Sequence, residues 1–288
     1  MSPHNTQNAP TLPLMERRFT RLAEGLVHLR IMEGDGIPVL MIHASPASAR
    51  GLEPLMEALK ETGVTAPLLA PDTLGNGDSA PPAEDSPEIS YYADSLRRVL
   101  DTLGIDRVDL YGAHTGARTA CEFAILFPNR VRRLILDGIV DYPPELKQEI
   151  LAQYAPAVVP EEDGTHLLWA FNFVRDQVFH FPYFRRDPAH RQTNRAMPSP
   201  EYLHAHVVDV LKGLTTYHKA YGAAFRYPVK ERLPLVRVPT LVLQADVEPQ
   251  ALQSAAPNIA GLIPDSVRQV TTGGIPGKAT AIAAFLAG

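Results

Sequence analysis

The segment that most constrains this chain is Tyr111-Gly112-Ala113-His114-Thr115-Gly116-Ala117, which follows the apolar run Val108-Asp109-Leu110. Gly112 and Gly116 flank a central residue in the frame G-x-S-x-G, the sequence form of a sharp strand-to-helix elbow. Such an elbow exposes its central side chain at the top of a sheet, and that position normally holds Ser, Cys or Asp. Here it holds His114. An imidazole is a capable base and a poor acyl acceptor, so the elbow points to a fold class while leaving the mechanism open.

Around the elbow, short β-type runs alternate with helical segments, the pattern of a mostly parallel sheet covered on both faces. Residues 18–23 and 27–32 read as an opening strand pair, and 38–43, 66–70, 107–111, 131–137, 240–244 and 267–271 as further strands. Helical spacing covers 52–62, 89–103, the stretch from the elbow to about 127, 250–260 and 278–286. Composition shifts at Asp141: from there to about Lys230 aromatic residues thicken, with helices expected over 165–178 and 200–225. The expected organisation is a flexible leader at 1–15, an α/β core at 16–140 and 231–288, and a helical cap at 141–230.

A net charge of -5 gives no electrostatic reason to expect nucleic acid or an anionic membrane as partner. No apolar run approaches the ~20 residues of a membrane span. The first residues are polar and rich in Pro and Asn, without a basic segment leading into an apolar one, so a cytoplasmic location is expected. The single cysteine, Cys121, excludes an intrachain disulfide and a thiolate metal cluster, and its place on the helix after the elbow suits packing. His204 and His206 stand two apart on an expected helix and point to different faces. No H-E-x-x-H or acidic calcium loop occurs, so no metal and no cofactor are expected. The expected partner is a small-molecule substrate, and a homodimer stays open.

Taken in order, the segments resemble the α/β-hydrolase superfamily over residues 16–288. Ile42-His43-Ala44-Ser45-Pro46 is similar to that family's oxyanion loop, and Pro71-Asp72 through Gly75-Asn76-Gly77-Asp78-Ser79 to its P-D-x-x-G-x-G-x-S turn. Pro128-Asn129-Arg130-Val131 with Leu134-Ile135-Leu136-Asp137-Gly138 resembles the segment after the elbow helix, and Pro239-Thr240-Leu241-Val242-Leu243 the strand before the catalytic acid. The resemblance implies an α/β-hydrolase fold, a mostly parallel twisted sheet flanked by helices with an inserted cap. It places Glu248 at the acid position, with Asp246 two residues before it.

Two positions depart from the family. The nucleophile is replaced by His114, and the loop that usually carries the base histidine reads Gly273-Gly274-Ile275-Pro276-Gly277. The last histidine in the chain is His218. A Ser-His-Asp acyl-enzyme route is therefore closed. One rearrangement accounts for both departures: an imidazole at the elbow reaches ~3–4 Å further than a serine hydroxyl, towards the place of the lost ring. His114 would then meet Glu248 or Asp246 and act as a general base whose tautomer the carboxylate fixes. The N–H groups of Ala44 or Ser45 and of Thr115 would form the oxyanion hole, which depends on backbone shape alone. Ser45 and Thr115 also carry the hydroxyls to test as alternative nucleophiles.

The resemblance gives His43 the task of organising the oxyanion loop. His43 also joins His166, Trp169, Phe173, Phe181 and Tyr183 as candidates to line a substrate pocket, an aromatic lid implying an apolar or aromatic substrate. His166, Arg175, His180, Arg186 and Arg191 are the candidates to place one positive charge on a substrate carboxylate, most of them being expected to be solvated or paired. Several activities fit these groups: ester or lactone hydrolysis, C–C or C–X cleavage, and lyase, cyclase or cofactor-free oxygenase chemistry. A degenerate ligand-binding protein on the same fold, or a purely structural one, is the competing class.

Overall fold

The computed structural model describes residues 13–192, 196–246 and 248–288. Of the leader expected over 1–15, residues 1–12 lie outside that description; strand β1 begins at Met15. The strands are β1 (Met15–Arg21), β2 (Leu26–Met32), β3 (Val39–Ile42), β4 (Leu68–Pro71), β5 (Val108–Ala113), β6 (Val131–Asp137), β7 (Thr240–Ala245) and β8 (Ser266–Thr271). They form one sheet in the order β1-β2-β4-β3-β5-β6-β7-β8. β1 pairs antiparallel with β2 and β2 with β4; the remaining neighbours are parallel.

Strands buried on both faces read as continuous apolar runs, and here each run splits by alternation between two cores. On one face Leu40 and Ile42, Val108 and Leu110, Leu134 and Leu136 pack against α2 (Ile89–Thr102), α3 (Thr115–Leu126) and α9 (Gln250–Leu262). On the other, Val39 and Met41, Tyr111, Ile135, Leu241 and Leu243 meet α1 (Glu53–Glu61) and α10 (Gly274–Ala287). Cys121 on α3 is fully buried, and burial pushes its thiol up to about 12, which leaves it an inert packing group.

Among the described residues five α-helices lie between β6 and β7: α4 (Pro144–Gln153), α5 (Thr165–Phe179), α6 (Pro200–Lys212), α7 (Tyr217–Arg226) and α8 (Val229–Arg232). The single helix expected over 200–225 is two. α6 stops at Gly213, and the Thr216 hydroxyl donates to the Gly75 carbonyl at 2.6 Å, tying the break to the glycine-rich turn of the core. A second tie runs through Asp209 of α6, which is buried and accepts from Ser48 at 3.1 Å and Arg50 at 2.6 Å. These helices have their own core around Tyr154, Phe173, Tyr183, Tyr217 and Tyr221. Ala220, Ala223 and Ala224 of α7 pack instead with the main core against α3, so this layer is anchored as well as stacked.

Strand register sets the site. Ile42 of β3 pairs with Gly112 of β5, and Ala113 with Asp137 of β6, so the loop after β3 and the end of β6 flank the elbow. The elbow itself is tight: a Cβ at Gly116 would lie 2.3 Å from the Ile42 carbonyl oxygen, and one at Gly112 would lie 2.3 Å from that of Gly116. Gly116→Ala should therefore force β3 and α3 apart and cost about 1–3 kcal/mol or more, the range for overpacking a rigid contact. Guanidinium denaturation checks this, and an unchanged midpoint would show that the elbow has slack.

Candidate active site

His114 is the elbow residue and the only non-glycine residue with positive φ among the described residues, at φ 52° and ψ -106°. Holding a β-carbon-bearing residue there costs roughly 1–3 kcal/mol, and the surrounding register supplies the restraint. The His114 N–H donates to the Asp137 carbonyl at 2.8 Å, and the carbonyls of the turn start α3. Gly138, just past β6, makes room for the ring: a Cβ there would sit 2.9 Å from Cε1 and 3.0 Å from Nδ1 of His114. An imidazole at this elbow thus depends on a glycine across from it.

The ring reaches the loop after β7. Nε2 of His114 lies 3.2 Å from Oε2 of Glu248. The other carboxylate oxygen, Oε1, accepts from Nζ of Lys278 on α10 at 3.0 Å. The same Nζ donates to Oδ2 of Asp137 at 2.7 Å, and that oxygen also accepts from the Tyr111 hydroxyl at 2.8 Å. Asp137, Tyr111 and Lys278 are buried, while the His114 side chain is 38% exposed because it opens on a cavity. Nδ1 has no partner among the described residues and is not among the fully buried polar atoms.

Charge counting explains how these groups titrate. Asp137 and Glu248 carry two negative charges against one on Lys278, which leaves a net attraction for a proton on His114. Burial opposes the imidazolium, but the Glu248 carboxylate, with Asp137 behind it, outweighs burial and raises the His114 pKa above its ordinary 6.5. Burial also pushes the Glu248 carboxyl upward, yet His114 and Lys278 overcome it and hold that carboxyl far below its ordinary 4.5. Burial works against the Lys278 ammonium too; Asp137 and Glu248 more than offset it and hold its pKa above 10.5. Burial and then Asp137 push the Tyr111 phenol well above 10.0.

The stability consequences have opposite signs. The raised His114 pKa stabilises the fold fully below the unfolded value of 6.5, and that contribution is lost as pH rises through the folded value. The lowered Glu248 pKa stabilises it fully above 4.5, and that contribution is lost as pH falls through the folded value.

The cavity beside His114 has a volume of about 650 Å³ and is lined by Ala44, Ser45, Thr115, Arg118 and Glu248 on the core side. Tyr142, Tyr154, Phe181, Tyr221 and Phe225 supply the opposite wall. A neighbouring cavity of about 580 Å³ reaches His114 and Glu248 from the α10 side, past His43, Tyr111, Asp137 and Lys278. Thr115 opens α3, where a backbone N–H has no intrahelical acceptor, and Ala44 and Ser45 face the same space. Neither the Ser45 nor the Thr115 hydroxyl is bonded to an imidazole or a carboxylate among the described residues.

The remaining sequence candidates divide. Glu248 meets His114; Asp246 does not, because its exposed carboxylate accepts from the Gly273 N–H at 3.1 Å, outside the cavity. His43 is buried, its Nε2 accepting from the Thr73 N–H at 3.0 Å and its Nδ1 facing the Ala44 carbonyl at 2.8 Å, so it braces the oxyanion-type loop. Phe181 lines the main cavity. Trp169, Phe173 and Tyr183 do not: Phe173 stacks on Trp169 at 4.9 Å and meets Tyr183 edge-on at 4.8 Å, inside the core of the inserted helices. His166 accepts from the Glu161 N–H at 2.9 Å near the surface.

Sequence reasoning missed Lys278, Asp137 and Tyr111. A signal for Lys278 was present, since it is the sole charged residue between Gly273 and Gly288. His28, Asp72 and Asp78 also converge within 4.8 Å, but their polar atoms are engaged: His28 with Asp72 at 2.9 Å and Asp78 with Arg17 at 3.0 Å and Lys212 at 2.7 Å. Asp72 additionally accepts from the Ala49 and Asp78 N–H groups, which makes it the organiser of the glycine-rich turn.

A family model described as the alpha/beta hydrolase fold matches residues 37–274, and the chain belongs to that family. It is 36% identical over 129 residues to 2-hydroxymuconate semialdehyde hydrolase of Pseudomonas putida, covering 44% of this chain and 45% of that protein. It is 34% identical over 127 residues to 2-hydroxy-6-oxo-2,4-heptadienoate hydrolase of Pseudomonas putida F1, covering 43% and 46%. These matches span less than half the length of either relative. The enol-lactonase from Burkholderia xenovorans LB400 superposes with a TM-score of 0.66 at 18% identity, covering 94% of this chain and 98% of its own, a likeness of fold. No helix among the described residues is long and apolar enough to cross a membrane.

Lys278→Met removes the one cation between buried Asp137 and half-buried Glu248. Breaking a buried pair of this kind costs about 3–5 kcal/mol, so the variant should unfold at markedly lower denaturant. Lys278 also holds the His114 pKa down, so the variant's imidazole should titrate higher still by NMR. An unchanged midpoint and an unchanged titration would show that Lys278 is a bystander.

Proposed function

We propose that this chain is an enzyme that attacks a small, largely apolar carbonyl compound, with His114 as general base and a backbone oxyanion hole. The observation that carries the reading is the 3.2 Å contact between Nε2 of His114 and Glu248, made by a side chain that lines the cavity and whose Nδ1 has no partner among the described residues. Residues 141–230 act as the cap that encloses the substrate. The names of the relatives, hydrolases of an unsaturated semialdehyde and of an oxo-dienoate, support a carbonyl substrate.

Water held between Nδ1 and the carbonyl carbon loses a proton to Nδ1 as its oxygen attacks. The carbonyl oxygen takes the developing charge into the N–H groups of Thr115 and of Ala44 or Ser45, helped by the N-terminal end of α3. The imidazolium so formed is stabilised by Glu248 and returns its proton to the departing alkoxide or enolate. No acyl-enzyme forms, because no hydroxyl or thiol stands at the elbow. Proton abstraction beside a carbonyl, the entry to lyase or cyclase chemistry, would use the same nitrogen and the same hole.

Ester, enol-lactone and β-keto acid panels test the proposal. On the best substrate His114→Ala should lower kcat/KM by roughly 10²–10⁴-fold, the usual share of a positioned base. Glu248→Gln should lower it by a smaller factor, and rapid-mixing traces should show no burst. Wild-type rates in His114→Ala, or a burst that Ser45→Ala abolishes, would overturn it; a wild-type protein inactive on all three panels would favour the ligand-binding class.

A further inference from the structure

One buried charge has no partner in the mechanism above. Arg118 stands on α3 one turn past the elbow, is only 5% exposed, and lines the cavity beside His114. Helical side chains lean towards the N-terminus, and this one folds back so that Nη1 donates to the His114 carbonyl at 3.2 Å. Nη2 donates to the Val140 carbonyl at 2.8 Å, and the buried Nε–H has no acceptor. No carboxylate pairs with it among the described residues; the nearby Asp141 is taken by Lys230 at 3.0 Å. Burial without a counter-ion lowers the Arg118 pKa from its ordinary 12.5.

Several other half-buried arginines are ion-paired. Arg232 is paired with Glu122 at 2.8 Å, Arg98 with Glu24 at 2.8 Å, and Arg50 with Asp209 at 2.6 Å. In the inserted helices, Arg175 and Arg186 both spend their charge on Asp176, at 2.8 Å each. A guanidinium with five donors in a planar fork, left with two carbonyl acceptors in an aromatic-walled cavity, is costly unless something anionic completes it. The planar fork matches a carboxylate.

Resting on the reading of this cavity as a substrate site, we propose that Arg118 is the seat for a substrate carboxylate, so that the substrate is an apolar or aromatic oxo- or acyloxy-acid. The guanidinium lies level with the elbow, which sets the carboxylate a few bonds from the carbonyl presented to His114. The tyrosine and phenylalanine wall holds the hydrocarbon between the two ends.

Calorimetric titration with phenylacetate and its uncharged amide, phenylacetamide, tests this without knowledge of the substrate. Wild-type protein should bind phenylacetate about 10-fold or more tightly than the amide, as expected of a desolvated charge-assisted pair. Arg118→Gln should erase that preference and Arg118→Lys should keep part of it. His114→Ala should keep it entirely, which separates this site from the base: loss of turnover in that variant with the preference intact supports both, whereas full turnover sinks the base and leaves the carboxylate seat standing. Equal affinities in wild type, no saturable phenylacetate binding, or a preference that survives in Arg118→Gln would overturn the proposal. So would its loss in His114→Ala, which would assign the anion to the imidazolium. If Arg118→Gln fails to fold, the wild-type comparison and Arg118→Lys still decide.

Discussion

Each oxygen of Glu248 meets a different nitrogen, Nε2 of His114 on one and Nζ of Lys278 on the other, and the site is organised around that shared carboxylate. Four parts of the chain converge there: the elbow after β5, the loop after β7, the helix α10 and, through Asp137, the end of β6. An unpaired carboxylate at this depth would be driven to its neutral form by desolvation. His114 and Lys278 keep it ionised, and an ionised Glu248 in turn makes His114 a stronger base than an isolated imidazole. Lys278 moderates that effect, because its own charge opposes a second proton nearby.

The geometry has a cost that the fold absorbs. His114 is held in a positive-φ turn, and a glycine at 138 gives way to its ring. In return the imidazole is fixed by main-chain bonding below and by a carboxylate at its side, so little motion is left to restrain during a reaction. The helix that starts at the elbow brings its first residue, Thr115, and its fourth, Arg118, to the cavity that His114 lines. One short segment thus brings an imidazole, a helix N-terminus and a guanidinium together.

Much of this was legible in the sequence because local pattern decides it. The glycine frame of the elbow, the apolar runs of the central strands and the proline-flanked segment before Glu248 each have a short-range physical cause. That His114 meets a carboxylate of the loop after β7, Glu248 or Asp246, followed from two departures considered together. What was not legible depended on which way side chains face. Trp169, Phe173 and Tyr183 were expected over the substrate, but they satisfy one another inside the inserted helices, while Tyr142, Tyr154, Tyr221 and Phe225 form the wall. Aromatic density in a sequence cannot distinguish those two outcomes. Asp246 and Glu248 stand two apart, and only the path of the loop after β7 decides that the first caps Gly273 and the second meets His114. Lys278 sits on a helix whose other residues are uncharged, and its role is visible only once two acids from distant strands are brought beneath it.

In the proposed mechanism Glu248 tunes His114 as the working base, and the first measurement to make is the pH dependence of kcat/KM on the best substrate, compared between wild type and Glu248→Gln. The neutral imidazole exists only above its pKa, so the wild-type rate should rise through a midpoint above 6.5, and the variant's midpoint should move down while its plateau falls. A rising limb at the same pH in both proteins, or none in the range where His114 titrates, would contradict it.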